Sequence, residues 1–182
     1  MRRSLTAAAL CALFVSAPLA AQTAAPAGWT PTTFQWNATT KTFTYLLLGG
    51  MEGGKGPFNY NRAMDGELTI TVPVGATAVI TFVNEDGVPH SAEVIADKDP
   101  MPTEGGHPAI PRAYTIKSVE GMAQGAKDVM RFKGTEAGTF RIFCGVPGHG
   151  LSGMWVRFNV SASATEPSVA LTPRPVKAKA SE

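Results

Sequence analysis

The sequence predicts an all-β domain, a Greek-key β-sandwich of seven to eight strands. Short runs rich in β-branched and aromatic residues recur along the chain. Each run is bounded by Gly, Pro or Asn, as is typical of strands joined by turns. No convincing helical period appears among them, and their spacing is that of a sandwich. Once an N-terminal segment is set aside, about 160 residues remain, which is enough for one domain with its own core.

The strand signals begin at Thr40 and continue to the end of the domain. In chain order they are KTFTYLLL, ELTITV, ATAVITFV, HSAEVIA, KDVMRFK, GTFRIFC and GMWVRFNV. Successive side chains of a strand point to opposite faces of the sheet. This alternation places Met154 on the apolar face of the last run and Cys144 on the same face as Ile142. Both side chains are therefore expected to point into the mouth of the sandwich.

Residues 1–21 have the pattern of a secretory signal peptide. Arg2 and Arg3 precede an apolar stretch, which small residues follow. The apolar stretch is shorter than the ~20 residues that a membrane span needs. We therefore expect cleavage near Ala21, no transmembrane segment after this removal, and a mature protein in the periplasm or secreted.

The remaining chain divides into three parts by composition. Residues 22–39 are expected to be a flexible lead-in, residues 40–160 the folded domain, and residues 161–182 a disordered tail without a core pattern. Within the domain, residues 97–125 are the least regular. Their Pro and Gly content predicts a long connection, with a short strand at RAYTIK and a turn of helix around SVEGMAQ. We expect this connection near the end of the sandwich that carries Cys144.

Charge and cysteine content narrow the class of function. The chain has 16 Lys and Arg against 14 Asp and Glu, and loss of Arg2 and Arg3 with the signal leaves 14 against 14. A neutral mature protein lacks the excess of positive charge that is typical of nucleic-acid-binding proteins. Loss of Cys11 leaves Cys144 alone and excludes an intrachain disulfide. A solitary cysteine in an exported protein needs an explanation, and metal ligation supplies one.

A candidate metal site lies in the run FRIFCGVPGHGLSGMWVRFNV. There Cys144, His149 and Met154 stand as C-x4-H-x4-M in a loop rich in Gly, which Pro147 stiffens. A thiolate and two imidazoles with a weak thioether suit both Cu(I) and Cu(II). The loop offers one histidine of the three in the chain. His90, which precedes an apolar strand, is therefore the expected fourth ligand.

Each of these residues has an ordinary explanation when it is taken alone. A single cysteine is more often a small buried hydrophobe than a ligand. A single methionine is more often core, and His149 between two glycines is typical of an exposed loop. Their joint occurrence at these intervals favours copper. For His107 the ordinary reading is preferred, and Trp155 is interpreted as a structural aromatic residue and not as an electron relay.

The motifs also resemble a known family. The run CGVPGHGLSGMW, with VPHS upstream and FNYN before GELTITVPVGATAVITFVN, is similar to the sulfocyanins. These are a branch of the blue copper proteins (cupredoxins), related in loop spacing to rusticyanin, and the resemblance covers roughly Phe43 to Val160. It implies a cupredoxin-like fold, with Ser91 orienting the site from behind the ligands. It departs at Arg62, where a glycine is expected. It implies one type 1 copper ion held by His90, Cys144, His149 and Met154.

The predicted function is to shuttle single electrons between redox partners, and not to act as an enzyme. An oxidase that reduces dioxygen would need further histidine-bound coppers, which three histidines cannot supply. No Ser-His-Asp set, paired carboxylates or phosphate loop is evident, so no catalytic residue is assigned. The resemblance implies that a cytochrome or terminal oxidase docks by a small contact near His149, on a patch of Val146, Pro147 and Leu151. A monomer is expected.

Two other functions remain open from the sequence. A periplasmic copper carrier or storage protein would use similar soft ligands but release the metal readily. A non-redox interaction module would bind zinc, or no metal, with its cysteine and histidines. The rate of Cu(I) release to a chelator separates the first alternative from an electron shuttle. The colour of the oxidised, copper-loaded protein separates the second.

Overall fold

The computed structural model describes residues 28–98 and 100–172. The expected signal peptide at residues 1–21 lies outside these ranges. The described residues form nine β-strands and no helix. Among them there is accordingly no candidate for a membrane-spanning helix. The strands are β1 (Phe34–Asn37), β2 (Thr42–Gly49), β3 (Leu68–Pro73), β4 (Thr77–Asn84), β5 (Glu93–Ala96), β6 (Lys127–Lys133), β7 (Gly138–Phe143), β8 (Trp155–Ser161) and β9 (Ser168–Leu171).

The strands form two sheets, which confirms the predicted β-sandwich. One sheet has the order β1-β2-β4-β6, and the other has the order β5-β7-β8-β3-β9. The pairs β2–β4 and β3–β8 are parallel, and the other pairs are antiparallel. The buried cluster draws on both sheets, so the core lies between them. Its large members include Phe43, Leu47, Ile80, Phe82, Phe132, Val156 and Phe158.

Strand β8 shows why the apolar alternation predicted the layers. Val156, Phe158 and Val160 are buried, whereas Arg157 between them is exposed. Each large apolar side chain on the inner face contributes roughly 1.5–3 kcal/mol by leaving water. All seven runs that were expected to be strands form strands in the structure.

Two strands lie where the sequence did not predict them. Strand β1 falls within residues 22–39, the expected lead-in, and pairs with β2. Strand β9 falls within residues 161–182, the expected tail, and pairs with the edge of β3. The domain therefore extends beyond residues 40–160 on both sides. Residues 22–27 and 173–182 lie outside the described residues.

The long connection between β5 and β6 is less regular than expected. RAYTIK forms no strand, and its Tyr114 makes only an isolated bridge to Glu93. SVEGMAQ forms no helix, and Met122 within it makes an isolated bridge to His90. The connection thus contacts β5 and the preceding His90 through isolated β-bridges and not through a paired strand. It lies near the end of the sandwich where His90 is found, as predicted.

The loop between β2 and β3 is fixed by two buried asparagines. Asn61 accepts a hydrogen bond from the Leu48 amide at 2.6 Å and donates to the Leu46 carbonyl at 3.0 Å. Asn59 donates to two carbonyl groups of the same loop and accepts from the Arg62 amide at 2.9 Å. Arg62 has a φ of 69°, a left-handed conformation that glycine adopts most easily. This explains why glycine was expected at this position.

We predict that Asn61→Ala lowers the free energy of unfolding by about 1–3 kcal/mol. The substitution leaves buried backbone groups of β2 without their partner, and each unsatisfied group costs about that much. Denaturant unfolding of the metal-free protein measures the change. Asn37→Ala is the matched control, because Asn37 accepts only an exposed turn amide, that of Thr40. An equal loss in both variants would contradict the anchoring role of Asn61.

Candidate metal centre

His90, Cys144 and His149 bring three metal-ligating atoms together. These atoms all lie within 4.8 Å of one another. Nδ1 of His90 is 3.2 Å from Nδ1 of His149, and Sγ of Cys144 is 3.4 Å from Nδ1 of His149 and 4.0 Å from Nδ1 of His90. His90 and Cys144 are fully buried, and His149 is half-buried. His90, which precedes β5, therefore meets the loop cysteine as expected.

The three separations fit a single metal ion. A point equidistant from three atoms at these separations lies about 2.1 Å from each, close to the ~2.0–2.3 Å at which histidine nitrogen and cysteine sulfur bind zinc. Both histidines present the same ring atom, Nδ1, towards this point. The donors are one thiol and two imidazoles, which suit copper as well as zinc. The residues present thus fit the metal that the resemblance implies.

His90 is held at the beginning of the β5 segment by backbone and side-chain contacts. Its backbone amide and carbonyl pair with Met122 at 3.3 and 2.8 Å. Its Nε2 is buried without a hydrogen bond and lies 3.6 Å from Oδ2 of Asp86. A proton on Nε2 facing this carboxylate leaves Nδ1 as the free donor for a metal.

Cys144 and His149 are positioned by the short loop between β7 and β8, residues 144–154, which we call the ligand loop. The Cys144 amide donates to the Met154 carbonyl at 3.0 Å, and the Met154 amide donates to the His149 carbonyl at 3.0 Å. These hydrogen bonds close the loop at its base. The Met154 side chain is fully buried at the start of β8, on the inner face that the alternation predicted.

Ser91 organises the surroundings of the Cys144 sulfur. The Ser91 amide donates to Sγ of Cys144 at 3.3 Å, and Oγ of Ser91 lies 3.7 Å from the same sulfur. The hydroxyl donates to the Ser118 carbonyl at 2.6 Å and accepts from the Gly145 amide at 3.0 Å. Burial raises the pKa of the Cys144 thiol, and hydrogen bonds from the Ser91 and Val146 amides oppose this shift. The contacts agree with the orienting role expected for Ser91.

The two histidines lie in an environment that favours the neutral ring. Burial and, after it, the neighbouring His149 lower the pKa of His90 from 6.5 to about 4, and Asp86 opposes the shift. Burial also lowers the pKa of His149. The neutral imidazole is the form that binds metals. The burial that disfavours the charged rings therefore leaves both rings able to ligate.

Two aromatic residues at the site were given no role by the sequence analysis. The Phe58 ring packs against His149 with a centroid distance of 4.7 Å and against His90 at 6.3 Å. Tyr60 is fully buried, and its hydroxyl donates to the Ser91 carbonyl. Burial raises the pKa of Tyr60 well above its usual value, and the nearby Cys144 adds to the shift. Both residues belong to FNYN, in which aromatic residues alternate with asparagines. This alternation is the sequence pattern that could have indicated their role.

Two other residues singled out from the sequence are not among the three donors. His107 is exposed and is not part of the donor group. The guanidinium groups of Arg141 and Arg157 both lie over the ring of Trp155, at 4.8 and 5.4 Å from its centroid. Stacking of this kind contributes about 0.5–1 kcal/mol at exposed positions. The contacts of Trp155 are those of a structural aromatic residue.

The fold and the site together define the class. A β-sandwich that encloses a Cys-His-His group at the ends of its strands is the arrangement typical of cupredoxins, and a solved structure of that class shares the fold. A sequence profile of the sulfocyanin (SoxE) domain matches residues 30–171. The chain therefore belongs to the sulfocyanin family. Sulfocyanin of Sulfolobus acidocaldarius is 27% identical over 139 residues, which span 72% of this chain and 70% of that protein.

Solved rusticyanin structures have the same fold. A structure of reduced rusticyanin has a TM-score of 0.52 at 22% identity, and covers 66% of this chain and 85% of its own. A rusticyanin structure from Thiobacillus ferrooxidans has a TM-score of 0.52 at 21% identity, and covers 72% of this chain and 88% of its own. At this level of identity the likeness supports the architecture.

We predict that the metal-free protein loses stability as the pH falls from about 6.5 to about 4. The unfolded chain protonates His90 near pH 6.5, whereas the folded chain does so only near pH 4. The unfolded state thus binds more protons within this window, so the contribution is complete above it and is lost as pH falls. His149 acts in the same direction.

Denaturant unfolding at a series of pH values, with a chelator present, measures this dependence. His90→Asn should reduce the slope within the window, because asparagine does not titrate. His107→Asn replaces an exposed histidine outside the donor group and serves as the control. An unchanged slope in His90→Asn would contradict the prediction.

Proposed function

We propose that this protein binds one type 1 copper ion and shuttles single electrons between redox partners. The ligands would be Nδ1 of His90, Sγ of Cys144, Nδ1 of His149 and, more weakly, the sulfur of Met154. The observation that carries this proposal is the convergence of two imidazole nitrogens and one thiol sulfur on a common point. When bound, copper would take up one electron as Cu(II) and release it as Cu(I).

Burial of the ligands favours electron transfer over catalysis. His90 and Cys144 have no exposed surface, and only His149 reaches the exterior. A substrate molecule would have no path to the metal through these side chains, whereas an electron can pass through the His149 ring. Met154, also buried, ends the ligand loop. A weak thioether and an apolar surrounding favour Cu(I), and thus a raised reduction potential.

Redox partners would dock where His149 approaches the surface. The patch near it consists of Pro89, Val146, Pro147 and Leu151. The side chains of Pro89 and Val146 both approach Gly121, and Leu151 is 57% exposed. An apolar surface of this kind suits a small, transient contact. A cytochrome or a terminal oxidase is the proposed partner, the protein is proposed to act as an exported monomer, and residues 1–21 would direct the export.

The alternative function, a periplasmic copper carrier or store, fits the site less well. Backbone hydrogen bonds close the ligand loop at its base, and Ser91 and Phe58 contact the donors from behind. A carrier needs ligands that open readily to an acceptor. Rapid loss of Cu(I) to a chelator would favour the carrier, whereas slow loss supports the electron shuttle.

We predict that the oxidised, copper-loaded protein has a strong visible thiolate-to-copper band that Cys144→Ala abolishes. The band requires the Cys144 sulfur, which no other residue can replace. His107→Ala is the matched control and should keep the band, because His107 is exposed and outside the donor group. A visible spectrum of each protein gives the result. A wild-type protein that stays colourless with Cu(II) would contradict the proposal.

Met154→Leu tests the fourth ligand separately. We expect the band to remain, because the thiolate and both imidazoles are retained, and the reduction potential to rise. Removal of a weak axial donor destabilises Cu(II) more than Cu(I). A redox titration followed at the band measures the change. An unaltered spectrum and potential would show that Met154 is only core packing.

Leu151→Lys should slow electron self-exchange between two copies of the protein. Two copies that approach through the patch near His149 would bring two added positive charges together. We expect a decrease of about tenfold, which corresponds to about 1.4 kcal/mol. NMR line broadening in mixtures of the two oxidation states measures the rate. Leu171→Lys on β9 is the control, since Leu171 is 49% exposed and belongs to a different surface; equal slowing would refute the proposed docking surface.

A further inference from the structure

Glu93 is a fully buried carboxylate on β5, close to the metal centre but outside the donor group. Its Oε2 accepts the Gly106 amide at 2.8 Å, and its Oε1 accepts the His107 amide at 2.8 Å. Burial of a charged group without such partners is strongly unfavourable. Both hydrogen bonds are donated to the carboxyl group, which suits an ionised carboxylate because it can only accept.

The segment that Glu93 holds is bonded to the ligand loop at two points. The Gly105 amide donates to the Gly145 carbonyl at 2.8 Å, and the Gly148 amide donates to the Thr103 carbonyl at 2.8 Å. Gly145 directly follows Cys144, and Gly148 directly precedes His149. Residues 103–107, which we call the clamp segment, therefore lie across the part of the chain that presents the thiol and the second imidazole.

The contact between the clamp segment and the ligand loop is too close for side chains. A Cβ atom at Gly145 would lie 2.9 Å from the Cα of Gly105 and 2.5 Å from the Ser118 carbonyl oxygen. Neither backbone can retreat without loss of its hydrogen bonds. The position of the clamp segment thus fixes the position of Gly145, and through it the direction of the Cys144 side chain.

The charge of Glu93 also lies near the donors. Glu93 is opposite Phe143 in the β5–β7 pair, and Phe143 directly precedes Cys144. Oε2 of Glu93 lies 2.8 Å from the position that a Cβ atom would take at Gly105, and the same position is 3.0 Å from the Cα of Gly145, which follows Cys144. In a buried environment a charge acts more strongly than it does in water. A negative charge stabilises the more positive state of a nearby ion.

We propose that Glu93 is a positioning residue of the metal centre, which anchors the clamp segment over the ligand loop and whose fixed negative charge lowers the reduction potential of the bound copper. This inference rests on the proposed copper-binding function. The first role acts through hydrogen bonds to Gly106 and His107. The second acts through charge and does not require contact with the ion. The two roles can be separated by substitution.

Glu93→Gln removes the charge and keeps the length of the side chain. In a spectroelectrochemical titration, where the electrode supplies the electron that converts Cu(II) to Cu(I), we expect its midpoint potential to rise. Glu120→Gln is the matched control, because Glu120 is exposed in the same long connection but outside the clamp segment, and its potential should stay near that of the wild type. No change in Glu93→Gln, or an equal rise in Glu120→Gln, overturns the role of the charge.

Glu93→Asp keeps the charge and shortens the side chain. Its potential should remain near that of the wild type, while amide hydrogen exchange at Gly106 and His107 becomes faster. A rise in potential as large as that of Glu93→Gln would assign the effect to altered geometry alone and overturn the role of the charge.

Hydrogen exchange in the metal-free wild type tests the anchor without a variant and without copper. Gly106 and His107 are exposed residues, yet their amides should exchange more slowly than unstructured backbone because Glu93 accepts both. Exchange at the unstructured rate overturns the anchor. A wild-type protein without the thiolate-to-copper band would refute the copper function and the effect on potential. The protection of these two amides would still decide the anchoring role.

Discussion

The metal centre depends on the register between β5 and β7. Glu93 is paired with Phe143, so His90, just before β5, and Cys144, just after β7, meet at the same end of the sheet. A slip of one residue would turn every side chain of a strand to the opposite face. The buried apolar residues of both strands prevent such a slip. The burial that stabilises the sandwich therefore also fixes the distance between the histidine that precedes β5 and the cysteine that follows β7.

The features that the sequence could predict are those carried by local pattern. The strand alternation is local, and all seven predicted runs are strands. The spacing of Cys144 and His149 along one loop is also local, and the structure brings both beside His90. One cysteine outside the expected signal peptide and three histidines left few combinations. The three residues of the donor group could therefore be predicted from the sequence.

The features that the sequence did not predict depend on contacts between distant segments. Strands β1 and β9 each have only four residues and lie at the edge of a sheet, so their apolar pattern is weak. Phe58 and Glu93 act through residues more than ten positions away, and nothing in their own neighbourhood marks the partner. At Arg62 the resemblance implied glycine, and the sequence has arginine instead. The backbone there nevertheless has the left-handed conformation that glycine adopts most easily.

The donors are held from two directions by groups that do not ligate. On one side the FNYN segment places the Phe58 ring against His149 and the Tyr60 hydroxyl against the Ser91 carbonyl. On the other side the clamp segment is bonded to the backbone beside Cys144 and His149. Donors held in this way have little freedom to rearrange if the charge of a bound ion changes by one. Such rigidity keeps the geometry acceptable to both oxidation states, which is what rapid electron transfer requires and what a protein that releases its metal would have to give up.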